Sequence, residues 1–232
     1  NLIYIIELSL NNKHIMKSYS IIFLLSFAFF SFSASAQKTL SEGTLIYNMS
    51  VETGSGEPKM ADMLDGATTT VYLKGNDSRT ELVSSLGREA TIYNATTGKG
   101  VILKDYSGQK LMITMTAQNW EQNNKKYEGI VFENTNETAT IAGFKCKKAI
   151  AKLKNGASFT VYYTTDVNVA NKSYDAQFKT LPGLPVQYEM ENGKMKFKFT
   201  LASINYNPVS ASKFEIPTSG YRVMTYEETK AK

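Results

Sequence analysis

The sequence is poor in the two residue types on which enzymes and disulfide-bonded proteins most often depend. It contains one histidine, His14, and one cysteine, Cys146. A single cysteine cannot form an internal disulfide. Because His14 lies upstream of a predicted export signal, we expect the mature chain to lack Ser-His and Cys-His nucleophiles and His-ligated zinc. The sequence therefore predicts a protein that is not an enzyme, with no catalytic residue, no metal and no cofactor.

Arginine is also scarce. Arg79, Arg88 and Arg222 are the only arginines among 26 basic residues, and the net charge is +5. A nucleic-acid-binding protein clusters its positive charge and favours arginine for phosphate and base contacts. We therefore expect no nucleic-acid partner. Several lysines recur at every second position, which indicates a solubilised outer surface or, alternatively, contact with anionic head groups: Lys152, Lys154, Lys194, Lys196 and Lys198.

The N-terminal region is typical of a cleavable signal peptide. Lys17 precedes an apolar run of twelve residues, Ile21–Phe32, and Ala34-Ser35-Ala36 follows it. A basic residue, a short apolar core and small residues at positions −3 and −1 form the export pattern. A membrane-spanning helix needs about 20 apolar residues, more than this run provides.

These features divide the chain into three parts. Residues 1–15 precede Met16 and are expected to be translated upstream sequence. Residues 16–36 are predicted to be the signal peptide, with cleavage after Ala36, and residues 37–232 are predicted to form one domain. The mature protein is then periplasmic or secreted, and it is not an integral membrane protein. The alternative is an anchor retained within the first 36 residues.

Short segments rich in β-branched and aromatic residues recur along the mature chain at intervals of about ten residues, with turn residues between them. This spacing predicts an antiparallel, mainly β protein. The predicted strands are Thr44–Val51, Thr69–Lys74, Arg79–Val83, Glu89–Asn94, Gly100–Lys104, Gln109–Met115, Ile130–Thr140 and Lys145–Lys154. Two segments could be helical: the one that carries Met60, Met63 and Leu64, and Ala117–Tyr127, which is a helix or a long loop.

An Asn192-Gly193 pair predicts a tight hairpin, since both residues tolerate the positive φ of such turns. A two-residue loop gives an apolar face that pairs Met190 with Met195, Tyr188 with Phe197 and Val186 with Phe199. The other face pairs Glu191 with Lys194, Glu189 with Lys196 and Gln187 with Lys198. A second pair, Asn155-Gly156, predicts a three-residue loop with Leu153 opposite Phe159.

Three polar groups resemble catalytic or reactive sites but are weak candidates. Ser210-Ala211-Ser212-Lys213 matches Ser-x-x-Lys, yet the companion motifs of penicillin-binding enzymes are not found. Asp62 and Asp65 are best explained as solvated charges on one helix face. Neighbouring lysines could lower the pKa of Cys146, but strand alternation turns Cys146 away from Lys145 and Lys147. We therefore expect a buried, inert thiol.

Apolar side chains are the remaining candidates for function. The predicted hairpin exposes a face that few helices are available to cover, and an incompletely covered apolar concavity can bind a ligand. Methionine suits such surfaces because it is flexible and polarisable. The candidate ligand-binding residues are Met60, Met63, Leu64, Tyr188, Met190, Met195, Phe197 and Phe199.

Three segments resemble secreted gram-negative families of unknown function and, behind them, the outer-membrane lipoprotein carriers of the Lol type. They are Thr140–Ala149 (TIAGFKCKKA), Thr180–Tyr188 (TLPGLPVQY) and Ser212–Tyr221 (SKFEIPTSGY). The resemblance implies an open half-barrel sheet, strongly curved, with one or two short helices on its concave side and an interior that accepts acyl chains. The lid-closing residues of the carriers have no counterpart that can be mapped onto this sequence.

The sequence thus favours a non-enzymatic envelope protein that binds lipid or another hydrophobic ligand in a half-barrel cavity. The alternative is a structural or interaction module with a closed core, no ligand and an envelope protein as its partner. An enzyme is the weakest hypothesis, because the mature chain offers no convincing pair of nucleophile and base.

Overall fold

The computed structural model describes residues 37–53 and 62–230. The predicted signal peptide, the cleavage point after Ala36 and the candidate residue Met60 lie outside the described residues. Within the described ranges, no helix is both long enough and apolar enough to cross a membrane.

The chain is mainly β, as the spacing of its apolar segments predicts. Among the described residues, the helical ones are few: residues 62–64, the helix α1 Ala117–Asn124, and four short 3-10 turns. The strands are β1 Lys38–Leu40, β2 Glu42–Thr53, β3 Thr68–Lys74, β4 Asp77–Ser84, β5 Gly87–Asn94, β6 Lys99–Tyr106, β7 Gln109–Met115, β8 Val131–Ile141, β9 Phe144–Lys152, β10 Ser158–Thr164, β11 Val167–Val169, β12 Leu184–Asn192, β13 Met195–Asn205 and β14 Arg222–Thr225.

Twelve of these strands form one open sheet in the order β14-β7-β6-β5-β4-β3-β2-β13-β12-β10-β9-β8. Most neighbours are consecutive in sequence and antiparallel, because short hairpin turns connect them. The predicted open, antiparallel half-barrel is therefore confirmed. Two parallel pairings were not predicted. Strand β14 adds to β7 at one edge of the sheet, and β1 pairs with β11 in a separate two-stranded sheet.

One face of the sheet, here called the inner face, carries the main core. Alternate residues of the central strands point to it and are almost fully buried: Leu45, Tyr47, Val71, Leu73, Val186 and Leu201. They are covered by the connection between β10 and β12, residues 165–183, which we call the plug. The plug contributes β11, the 3-10 turns Lys172–Tyr174 and Ala176–Phe178, and the buried side chain of Leu181.

The chain after β13 crosses the opposite, outer face. The Lys74 ammonium donates to the Val209 carbonyl at 2.9 Å and forms an ion pair with Glu42 at 2.7 Å. Arg79 donates to the Lys213 carbonyl at 3.3 Å. Farther along, Tyr221 packs on an outer-face cluster of Ala90, Ile92, Val101, Leu103 and Met112.

The hairpin β12–β13 forms with the predicted faces but in a different register. The loop is Gly193-Lys194 rather than Asn192-Gly193, and Gly193 has φ +62°. Tyr188 therefore pairs with Phe199 and Met190 with Phe197. The predicted register was wrong by two residues. Such a shift leaves each side chain on its own face, so the apolar pattern cannot distinguish the two registers.

The hairpin β9–β10 deviates in the same way. Ala151 pairs with Phe159, and a five-residue loop, residues 153–157, replaces the predicted three-residue loop. The Leu153 amide closes this loop by donating to the Ala157 carbonyl at 2.9 Å. Here too the predicted register was wrong by two residues while the predicted faces were correct.

Candidate ligand cleft

The centre of the inner face is filled by aromatic side chains. Tyr188 stacks on Phe199 with ring centroids 4.8 Å apart and meets Phe178 of the plug edge-on at 4.7 Å. Its ring lies 6.2 Å from that of Tyr47, whose hydroxyl donates to the Pro185 carbonyl at 2.9 Å. Two small cavities, of about 50 Å³ and 10 Å³, adjoin this cluster. The aromatic residues and the plug therefore leave little space here.

The candidate residues of the hairpin lie together on the inner face. Met190 pairs with Phe197, which in turn lies opposite Val51 of β2, and both side chains are half-buried. Met195 is also half-buried, near the hairpin loop. The candidate residue Tyr188 lines the cavity of about 50 Å³ described above.

Met63 and Leu64 lie in the connection between β2 and β3. The Met63 side chain is 44% exposed, whereas Leu64 is half-buried. The Met63 carbonyl accepts a hydrogen bond from the Ser85 hydroxyl at 2.6 Å, which ties this connection to the turn after β4.

One ionisable group lies within the aromatic centre. Asp175 separates the two 3-10 turns of the plug, and its Oδ1 accepts a hydrogen bond from the Gln177 amide at 3.0 Å. Burial raises the pKa of this carboxyl to about 6, although the hydrogen bonds from the Gln177 and Phe178 amides lower it. Burial also raises the pKa of the neighbouring Tyr174 and Tyr188 hydroxyls. The cluster thus encloses a desolvated carboxyl and desolvated tyrosine hydroxyls.

A much larger space opens farther along the inner face, between α1 and the plug. This cleft has a volume of about 670 Å³ and is open to solvent. Its apolar wall consists of Tyr93, Ala117, Trp120, Tyr127, Ile130 and Ala176. Its charged residues are Glu121, Lys125, Glu128 and Lys179. This volume lies within the range of about 300–1,000 Å³ that is usual for small-molecule sites.

Helix α1 is held firmly at the side of the cleft. Thr116 caps its N-terminus: the Thr116 hydroxyl accepts from the Asn119 amide, and the Asn119 side chain accepts from the Thr116 amide. The Asn119 side-chain amide also donates to Glu227 at 2.6 Å, which fastens the helix to the C-terminal segment. Such capping stabilises short helices. Trp120 is thereby fixed against Tyr93, with ring centroids 5.3 Å apart.

A second cleft, of about 500 Å³, lies at the β8–β9 edge of the sheet. Its lining is mostly polar and includes Thr138, Thr140 and Thr165. Cys146 also borders it but is buried, and burial raises the pKa of its thiol. The prediction of a buried Cys146 is confirmed.

The Ser-x-x-Lys segment has structural contacts instead of a catalytic pairing. The Ser210 hydroxyl lies 2.8 Å from the Ser212 hydroxyl and accepts from the Ser212 amide, as an N-cap of a 3-10 turn does. The Lys213 ammonium lies 4.7 Å from the centroid of the Tyr72 ring, a cation–π contact. These contacts explain the motif without chemistry.

The residues of the α1 cleft were not among the candidates from sequence. The sequence feature that could have indicated this cleft is the segment Ala117–Tyr127, which lacks β-branched residues and carries the single tryptophan of the chain. The segment is α1 followed by the 3-10 turn Lys125–Tyr127. The opposite wall comes from the plug, whose short turns have no apolar periodicity to reveal them.

The sequence matches no protein-family model and no curated protein. Solved structures similar to this chain include MucB, with 11% identity and a TM-score of 0.38 over 79% of this chain and 60% of its own. The Mycobacterium tuberculosis lipoprotein LppX has 10% identity and a TM-score of 0.37, over 73% of this chain and 89% of its own. A LolA superfamily protein from Nitrosomonas europaea has 10% identity and a TM-score of 0.36, over 79% of this chain and 94% of its own.

These similarities concern the fold alone. This chain spans 60% of the length of MucB. A structure of the LolA superfamily, the group that three short sequence segments resemble, is among the matches.

Proposed function

We propose that this protein is a non-enzymatic, periplasmic or secreted binding protein that holds lipid or another hydrophobic ligand in the α1 cleft. The observation that carries this proposal is the contrast in space on one sheet face. The two cavities at the aromatic centre have volumes of about 50 Å³ and 10 Å³, whereas the α1 cleft offers about 670 Å³ beside Tyr93, Trp120 and Ile130. An apolar ligand gains about 25 cal/mol for each Å² that it removes from water, so it favours such a wall.

The candidate residues from sequence remain a second proposed location. Met190, Met195 and Phe197 form a half-buried apolar strip at the end of the hairpin, and a flexible methionine pair can adapt to an acyl chain. Met60, Met63 and Leu64 belong to the same proposed site. Tyr188 already packs against Phe199 and Phe178. We therefore propose that Tyr188 and Phe199 form the floor of this second site.

The test of the proposal combines native mass spectrometry with a blocked cleft. Protein purified from its own envelope should carry a co-purifying lipid, and the lipid-free protein should bind an apolar fluorescent dye. Ala176→Trp places an indole in the cleft and should weaken dye binding at least about tenfold, because a filled site loses its contact area. Ala170→Trp is the matched control, since Ala170 is exposed in the same plug.

The two locations give different results in this experiment. Loss of binding in Ala176→Trp alone supports the α1 cleft. Binding that survives Ala176→Trp but is lost in Met190→Asp supports the hairpin strip. Absence of both lipid and dye binding contradicts the ligand proposal in either form.

The second candidate function is an envelope interaction module that acts through its surface. The observation in its favour is the aromatic centre, where the Tyr188 ring contacts Phe178 and Phe199 at 4.7 Å and 4.8 Å and little space remains. Capture of one defined partner from envelope extract by lipid-free protein, undiminished in Ala176→Trp, would favour this function over the first.

A further inference from the structure

The mouth of the α1 cleft gathers lysines from distant parts of the chain. Lys125 lies in the 3-10 turn that follows α1, and Lys179 lies in the plug; both line the cleft and are exposed. The Lys126 ammonium lies 4.8 Å from the centroid of the Tyr127 ring, and Tyr127 also lines the cleft. Three ammonium groups from two separated segments therefore surround one opening.

A fourth lysine reaches the same opening from the β9–β10 loop. The stem of Lys154 lies directly over Gly129, which lines the cleft, and its ammonium pairs with Glu128 at 3.4 Å. Glu121 is the other exposed carboxylate of the lining. Four lysines against two glutamates give this opening a net charge of +2. We call these six residues the rim: Glu121, Lys125, Lys126, Glu128, Lys154 and Lys179.

Three of the rim lysines are not neutralised by the protein itself. No carboxylate of the described ranges lies within ion-pair distance of Lys125, Lys126 or Lys179. Several lysines of the sheet differ from them because each is matched with a glutamate on the neighbouring strand: Lys148 with Glu137, Lys152 with Glu133 and Lys196 with Glu189. Unpaired ammonium groups around an opening attract an anionic partner.

The surface directly behind these charges is apolar, which indicates the kind of partner. Tyr127 is half-buried beneath the Lys126 ammonium, and Ile130 continues the wall into the cleft. Tyrosine and lysine together suit the boundary between lipid and water, because the ring enters the less polar zone while the ammonium stays with the head groups. A soluble anion or an acidic protein would use the charge alone. A bilayer surface would use both the charge and the apolar opening.

We infer that the rim docks the α1 cleft against a bilayer surface that carries anionic lipids. The lysine ammonium groups meet the head groups, and the mouth of the cleft faces the acyl region. This inference goes beyond the proposed function. It names the surface through which a ligand would enter or leave, and it holds whether or not the cleft itself retains a ligand.

The experiment measures binding of the lipid-free protein to vesicles by co-sedimentation. One set of vesicles contains phosphatidylglycerol and phosphatidylcholine in equal amounts, and the other contains phosphatidylcholine alone. Two triple variants are compared with the wild-type protein. The rim variant combines Lys125→Gln, Lys126→Gln and Lys179→Gln. The matched control removes the same charge from exposed lysines that do not line the α1 cleft: Lys145→Gln, Lys147→Gln and Lys194→Gln.

The wild-type protein should bind the anionic vesicles at least about tenfold more tightly than the neutral ones. One lysine close to an anionic surface strengthens binding by about fivefold. The rim variant should therefore lose at least about tenfold in affinity, and the control variant less than about threefold. Added salt should reproduce the loss, since the Debye length falls to about 3 Å at 1 M. Ala176→Trp fills the cleft but keeps the rim lysines, so it should still bind the anionic vesicles.

Three outcomes would overturn the inference. The first is equal binding of the wild-type protein to both kinds of vesicle, or no binding to either. The second is an equal loss in the two triple variants, which would mean that overall charge decides and the rim does not. The third is binding to soluble polyglutamate but not to vesicles, which would indicate an acidic protein partner.

Dye binding separates this inference from the proposed function. Vesicle binding without dye binding would contradict the ligand proposal and leave the docking surface in place. Dye binding without vesicle binding would do the reverse. Circular dichroism checks the fold of the rim variant. Lys179→Gln alone should weaken binding to anionic vesicles by about two- to fivefold, and it gives an independent answer if the triple variant is unfolded.

Discussion

The aromatic centre and the α1 cleft occupy the same face of the same sheet, yet one is closed and the other open. At the centre, the plug inserts Phe178 between Tyr188 and the rings of Phe132 and Phe159. At the α1 end, the plug presents Ser173, Ala176, Lys179 and Thr180 instead of an aromatic ring, and the space in front of Trp120 is left free. The presence or absence of a plug aromatic ring thus distinguishes the closed part of this face from the open part.

The two regions also differ in some of their polar contacts, although Gln177 Nε2, in the turn that carries Phe178, has no partner among the described residues either. The buried Tyr47 hydroxyl of the centre donates to a carbonyl, and Asp175 accepts from a backbone amide. The indole N–H of Trp120 at the cleft has no such partner within the described ranges. The proposal places stability at the packed centre and ligand binding at the open cleft, as is usual where a rigid scaffold carries a site.

Removing the Phe178 ring is expected to have the largest effect on stability. Phe178 is 4% exposed and contacts three aromatic rings. Phe178→Ala should lower the free energy of unfolding by about 3–5 kcal/mol, because it leaves a cavity in a packed core. Urea unfolding measures this loss. Val131→Ala, at a 55% exposed position, is the control and should change stability by less than about 0.5 kcal/mol.

Phe178→Ala also tests whether the Phe178 ring is what closes the aromatic centre. If Phe178→Ala stays folded, the aromatic centre gains space and should bind the apolar dye at a second site. A loss of less than about 1 kcal/mol would mean that Phe178 is loosely packed, and the contrast between centre and cleft would disappear.

Gly183→Ala should have the next largest effect. Gly183 lies where the plug joins β12, and an added Cβ would overlap the Thr164 carbonyl oxygen and approach the Tyr163 ring at 2.9 Å. Because backbone atoms must move, the change should cost about 1–3 kcal/mol in urea unfolding. Lys179→Ala, at an exposed position of the plug, should cost less than about 0.5 kcal/mol. Equal effects of the two changes would contradict tight packing at this junction.

Asp175 gives a pH-dependent prediction of smaller size. Its pKa is about 6 in the folded protein against a usual value of 3.8. Between these pH values the folded state retains a proton that the unfolded state has released, so stability should fall as the pH rises from about 4 to 6. Asp175→Asn keeps the oxygen that accepts from Gln177. It should raise the free energy of unfolding at pH 7.5 by about 1–2 kcal/mol and change it little at pH 3.5.

The control for this prediction is Asp62→Asn, because Asp62 is exposed. It should change the free energy of unfolding by less than about 0.5 kcal/mol at both pH values. If Asp175→Asn destabilises the protein at pH 7.5, the ionised carboxylate contributes favourable contacts, and the account of a desolvated group at the aromatic centre is wrong.

The sequence predicts the sheet well because its signal is local. Strand Gln109–Met115 has the predicted bounds, and both Asn-Gly hairpins present the predicted faces. The registers could not be predicted, since a shift of two residues conserves the faces. The plug and β14 were missed for another reason. Their contacts join residues distant in sequence, such as Lys38 with Val167 or Arg222 with Leu111, and no local pattern specifies such parallel pairings.

The candidate site was predicted less well than the fold. Apolar alternation correctly gathers Tyr188, Met190 and Phe197 on the inner face. It does not show what covers each of them, because coverage depends on where the plug places Phe178. The α1 cleft arises from the juxtaposition of α1 with the same plug, so only the tertiary arrangement reveals it.

The most direct test of a ligand in the α1 cleft uses Trp120, the single tryptophan of the chain. A bromine-labelled acyl carboxylate quenches indole fluorescence only at contact distance. Titration should give saturable quenching of Trp120, with the same midpoint as the binding measured by calorimetry, and Ala176→Trp should abolish that binding. Calorimetric binding without quenching of the wild-type tryptophan would place the ligand elsewhere and contradict the account.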